Sequence, residues 1–195
     1  MVAQRKSGLP TTADEFLSWP GDGRGGKYQL VDGELRAMSP GSATHGAIQN
    51  NVATLLTNHL RSLGGRCRSY TEPAIQVRTR AKINMRIPDI GVSCAKITAG
   101  DVALPEPILL VEILSPGNSS DTWDNVWAYC TVPTVTEILI LASTRIEAQL
   151  LRRGADGHWP PDPTKIDDTG ALSLASIGYT APLNAIYEGT YLLEG

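Results

Sequence analysis

The chain has 195 residues, 42% of them hydrophobic and 19% charged, a balance suited to one globular domain with its own core. No apolar run approaches the roughly 18 residues of a membrane helix, and residues 1–10 lack the apolar segment of a secretory signal. A soluble, cytoplasmic protein is therefore expected. The net charge of −3 argues against indiscriminate nucleic-acid binding by the molecule as a whole.

The charge is unevenly spread. Residues 61–86 carry seven Arg and Lys against Glu72 alone, a net of +6. Residues 101–195 carry four basic against thirteen acidic side chains, a net of −9. Such a basic stripe can face phosphates, or it can be an ordinary solvated surface. Cys67, Cys94 and Cys130 are odd in number and show no zinc-ligand spacing, so buried free thiols in a reducing compartment are expected rather than a zinc site or a disulfide.

In chain order, residues 14–19 form a short predicted helix, capped by Thr11 or Thr12 and stopped at Pro20. The glycine-rich stretch 21–26 lacks the lysine-hydroxyl ending and strand-helix context of a phosphate loop, and reads as a linker. Residues 28–31 and 34–38 flank Asp32-Gly33, a strong two-residue hairpin signal. Ile48, Val52, Leu55, Leu56, Leu60 and Leu63 recur at helical spacing after Ser42, and Gly64-Gly65 ends that helix. His45 lies three residues before Ile48, on the buried side of its first turn.

Residues 75–82 alternate between Ile75, Val77, Thr79, Ala81 and Gln76, Arg78, Arg80, Lys82, which predicts an amphipathic strand with a basic face. Residues 87–93 form a second strand, with Pro88 at its start. The apolar runs 107–114 and 137–141 predict central strands covered on both faces. A helix over 121–130 separates them, and residues 146–151 form a further strand. The stretch 154–170 reads as an exposed loop, and the chain closes with an edge segment from Tyr179. The fold class is α/β, more closely an α+β mixed sheet flanked by helices. Residues 1–26 form an N-terminal helix and flexible linker, and residues 27–195 one domain.

Two acids stand out. Asp89 follows Pro88 at the head of one apolar strand, and Glu112 interrupts another 23 residues later. A carboxylate there is costly to bury unless it binds a metal or is well hydrogen-bonded, although a strand-end acid can also simply face water.

Four segments in order, Tyr28-Gln29-Leu30-Val31-Asp32-Gly33-Glu34, His45, Pro88-Asp89 and Val111-Glu112-Ile113-Leu114-Ser115-Pro116, resemble the Uma2 family, a branch of the PD-(D/E)XK restriction-endonuclease-like superfamily. The resemblance runs from about Tyr28 to Tyr187. It implies a restriction endonuclease-like core and a DNA endonuclease that uses Mg²⁺ or Mn²⁺, acting as a homodimer or higher homo-oligomer. It further implies that Asp89, Glu112 and the Ile113 carbonyl hold the metal, with Glu34 and His45 beside it. In this superfamily a lysine stabilises the transition-state charge. Both positions at which the resemblance would place it hold other residues, Leu114 and Asn125. Arg86 is the best cationic substitute by sequence, and Arg78, Arg80 and Lys82 are candidates for contacting nucleic acid. A degenerate member that binds nucleic acid or a protein without cutting is the alternative.

Overall fold

A computed structural model of the chain describes residues 8–117 and 119–194. Helix α1 (Ala13–Leu17) begins with a capping box, Thr12 accepting the Glu15 N–H while the Glu15 carboxylate accepts the Thr12 N–H. Strands β1 (Tyr28–Val31) and β2 (Glu34–Ala37) form the predicted hairpin. Its turn places Asp32 and Gly33 at φ of 51° and 83°, the left-handed pair that a two-residue turn requires. Asn84 clamps this turn: its amide donates to Asp32 Oδ1 at 2.9 Å and its carbonyl oxygen accepts the Asp32 N–H at 2.8 Å. Ala13 packs with Leu30 and Met85, so α1 is docked on the hairpin.

The main sheet has six strands in the order β3-β4-β5-β6-β7-β8. These are β3 (Arg68–Thr71), β4 (Ile90–Ser93), β5 (Pro107–Leu114), β6 (Glu137–Ala142), β7 (Ala148–Arg152) and β8 (Thr164–Ile166). Only β5 and β6 run parallel, joined by the crossover helix α3 (Ser119–Tyr129). The sheet is therefore mixed, as expected. Helix α2 (Ala43–Ser62) covers one face through Ile48, Val52, Leu56 and Leu60, packed on Val111 and Ile113 of β5. Helix α3 covers the other through Val126 and Tyr129, against Leu110 and Ile138. A second hairpin of β9 (Ala171–Leu174) and β10 (Tyr179–Pro182) and a 3₁₀ turn (Leu183–Tyr187) complete the α2 side, and α4 (Tyr191–Glu194) ends the described chain. Among the described residues no helix is long and apolar enough to cross a membrane.

Three expectations are corrected. Residues 75–82 are not a strand. Ile75 and Val77 are buried as the alternation required, but Ile75 makes a single bridge to Arg86, and the chain then turns through Arg80 at φ 47° into a 3₁₀ turn (Ala81–Ile83). Cys67 and Cys94 are not free thiols. They form a disulfide beside the first ladder pair of β3 and β4, Arg68 opposite Ser93, and Cys130 alone is the free cysteine among the described residues. The stretch 154–170 is not wholly loop, since β8 lies within it.

Candidate active site

Strands β4 and β5 are antiparallel, with Ile90 opposite Val111. One further step in the same register sets Asp89 opposite Glu112, a position in which Cβ atoms stand roughly 5 Å apart. Along β5, Val111 and Ile113 belong to the α2 side and Leu110 to the α3 side, so alternation turns Glu112 toward α3. There it meets two residues spaced one helical turn apart. Tyr129 Oη donates to Glu112 Oε1 at 2.7 Å and Asn125 Nδ2 approaches the same oxygen at 3.5 Å. Glu112 is only 6% exposed. Burial pushes its pKa up to about 8, the charge of Asp89 adds to the rise, and the bonds from Tyr129 and Asn125 oppose it. The same burial holds the Tyr129 phenol well above its ordinary range.

Asp89 is held from three directions. Its Oδ2 accepts the Ile113 N–H at 2.6 Å, and its Oδ1 lies 2.9 Å from His45 Nε2. Its carbonyl accepts from Gln49 Nε2 at 3.2 Å and from the Glu72 N–H at 3.0 Å. Ser42 caps α2 by accepting the His45 N–H, which fixes His45 in the first turn, and its other ring nitrogen is 3.4 Å from Ser115 Oγ. A proton on Nε2 makes His45 the donor to Asp89.

His45, Asp89, Glu112 and Ile113 form the floor of a cleft of about 550 Å³. The hairpin supplies one wall through Lys27, Gln29 and Arg36, and the first turns of α3 supply another through Asp121, Thr122 and Asn125. Lys27 pairs with Glu72 at the rim. Arg36 Nη1 lies 3.9 Å from Asp121 Oδ1.

The donor chemistry suits a divalent cation. Two carboxylates are opposed and largely buried, and among the described residues neither pairs with a lysine or arginine. A hard, oxygen-seeking ion would favour the ionised form of Glu112 and draw both carboxylates into one ligand set. No group of three His, Cys, Asp or Glu side chains among the described residues is set to hold a metal. The remaining ligands would be backbone oxygens and water, which Mg²⁺ accepts readily.

The profile of the Uma2 family, described as "Putative restriction endonuclease", matches residues 13–183. The chain belongs to the Uma2 family. A protein of Synechocystis sp. (strain ATCC 27184 / PCC 6803 / Kazusa), described as uncharacterized protein slr1290, is 31% identical over 178 residues, 90% of each chain. A crystal structure from Anabaena variabilis ATCC 29413, described as "a putative nuclease belonging to DUF820", matches with a TM-score of 0.73 and 17% identity over 91% of this chain and 98% of that one. That likeness shows a common fold.

Of the residues selected from the sequence of this Uma2 protein, His45, Asp89, Glu112 and Ile113 come together at the cleft floor. Ile113 offers its N–H to Asp89. Glu34 is exposed at the start of β2, opposite Val31, and is not among the described lining residues. Arg86 is 6% exposed and also off the lining, with Nη1 donating to the Leu30 carbonyl at 2.7 Å. Burial lowers its guanidinium pKa. Arg78, Arg80 and Lys82 are exposed on the connection before β4, and Arg80 pairs with Asp32 at 3.3 Å. Asn118, in the connection between β5 and α3, lies outside the described residues.

Lys27, Gln29, Arg36, Gln49 and Tyr129 were not selected as site residues. Tyr129 had a usable signal, its i, i+4 spacing from Asn125. The hairpin residues had none, because nothing local shows that β1 and β2 fold over the β4–β5 pair.

Proposed function

We propose that this chain is a Mg²⁺- or Mn²⁺-dependent endonuclease of the PD-(D/E)XK type that hydrolyses phosphodiester bonds in DNA. The observation that carries the reading is the opposition of Asp89 and Glu112 across β4 and β5, both largely buried and neither paired with a lysine or arginine among the described residues. Asp89, Glu112 and a backbone oxygen at Ile113 would hold the cation. When bound, it would lower the pKa of a water and neutralise charge on the phosphate.

The protein's own groups do the rest. His45 and the Ile113 N–H hold the Asp89 carboxylate in one orientation. Tyr129 fixes the Glu112 rotamer by donating to Oε1. Water oxygen attacks phosphorus, its proton passes to a carboxylate of the pair, and the departing alkoxide takes a proton from solvent. One P–O bond forms and one ester P–O bond breaks. The family description and the cleft's two cations support the substrate class.

Plasmid and single-stranded DNA incubated with purified protein and Mg²⁺ or Mn²⁺ test this. Metal-dependent nicking that Asp89→Asn and Glu112→Gln each reduce by at least about 100-fold is expected. Intact DNA with the wild-type protein overturns it. A second reading, nucleic-acid binding without cutting, is favoured by Leu114 and Asn125 where the lysine would stand. It predicts Ca²⁺-supported DNA binding with no cleavage.

A further inference from the structure

We propose that Arg36 is a catalytic residue that supplies, from the β1–β2 hairpin, the positive charge at the scissile phosphate. The inference rests on the nuclease reading and assigns a role that neither β5 nor α3 fills, since Leu114 is apolar and Asn125 uncharged.

Three observations converge on Arg36. First, the β1–β2 register pairs it with Gln29, and both line the same cleft whose floor is Asp89 and Glu112. The hairpin thus presents one polar face to the two carboxylates. Second, Gln29 is 6% exposed and its Oε1 has no hydrogen-bond partner. An amide oxygen without a donor, on the lining beside a guanidinium, is what a donor such as a water on the cation would complete, while the phosphate oxygens take the guanidinium. Third, the other cation in the cleft is already engaged, because Lys27 pairs closely with Glu72. Arg36 reaches Asp121 only at 3.9 Å, and its side chain is 44% exposed. Its donors remain available for two non-bridging phosphate oxygens, the geometry a guanidinium fork matches. As water oxygen bonds to phosphorus and the ester P–O bond breaks, negative charge on those oxygens grows, and Arg36 offsets it.

The test compares wild type, Arg36→Gln, Arg36→Lys and Asp89→Asn in Mn²⁺-dependent plasmid cleavage and in Ca²⁺-supported binding of a labelled duplex. Arg36→Gln is expected to lower kcat by about 100-fold with KM and duplex Kd changed less than about threefold. Arg36→Lys should recover part of the rate, which also guards against a folding defect in the glutamine variant. An Arg36→Gln protein that cleaves at the wild-type rate, or whose loss lies wholly in Kd, overturns the inference while the Asp89→Asn result leaves the nuclease reading standing. A wild type that cuts nothing overturns that reading, and this inference with it.

Discussion

The Ile113 N–H donates to Asp89 Oδ2 at 2.6 Å, which fastens the acid at the head of β4 to the residue that follows Glu112. Both members of the acidic pair are thereby held to one short length of β5. Asp89→Ala removes the acceptor and strands a buried amide, at a cost of roughly 1–3 kcal/mol. For a chain of this size that is a Tm lower by roughly 2–12 °C. Asp89→Asn keeps one oxygen for the Ile113 N–H, so its Tm should lie close to wild type while Mn²⁺ affinity falls at least about tenfold. Thermal unfolding and calorimetry of both variants check this. An alanine variant that melts with the wild type would show that the bond contributes nothing.

Glu112 should make stability depend on pH. Its native pKa is raised to about 8 from a reference of 4.5. Below pH 4.5 both folded and unfolded chains hold the proton. Between 4.5 and 8 the unfolded chain has released it and the native chain has not, so stability falls as pH rises, and above 8 the loss is complete. Glu112→Gln should flatten this dependence and melt higher than the metal-free wild type at pH 9. Mn²⁺ binding at pH 7 should release close to one proton in the wild type and none from this site in the glutamine variant. Calorimetry in two buffers of different ionisation enthalpy reads the difference. Equal proton release would remove Glu112 from the ligand set.

The elements that carry strong periodicity were legible before the structure. The helix through Ile48 and Leu60, the Asp32-Gly33 hairpin and the apolar β5 and β6 all lie where their patterns place them. So do Glu112 on β5 and Asp89 just before β4, but their opposition comes from the antiparallel register, which no local pattern encodes. The stretch from Ile75 misled for a physical reason. Its two apolar residues are buried on an extended crossing, yet no partner strand runs beside it and Asn84 ties the loop to the hairpin turn instead. The disulfide was hidden because β3, half exposed on alternate and adjacent residues alike, lacks a strand signature, so nothing brought Cys67 to Cys94.

That disulfide yields a thiol count. Under denaturing, non-reducing conditions one thiol, Cys130, should react with a thiol reagent, and three after reduction. Closing a loop between residues 27 apart in sequence is worth about 3.5 kcal/mol by chain entropy, so the reductant should lower Tm by roughly 7–14 °C. Three reactive thiols without reductant would mean that the bridge does not form.

Asn125→Lys addresses the missing charge on α3. Asn125 is 8% exposed, lines the cleft and points its amide at Glu112 Oε1 from 3.5 Å. A lysine at that position would place an ammonium beside the two carboxylates, where opposite charge favours the ionised form of Glu112. Two consequences are expected together. The Glu112 pKa should fall from about 8, seen as a flatter loss of stability with rising pH, and DNA cleavage should rise about tenfold or more. If cleavage is unchanged while the pH dependence of stability flattens, the ammonium has reached Glu112 but not the phosphate, and the charge at the transition state comes from the hairpin side of the cleft. If neither changes, the lysine has swung to solvent, and the i, i+4 relation between Asn125 and Tyr129 serves only to pack and hydrogen-bond Glu112.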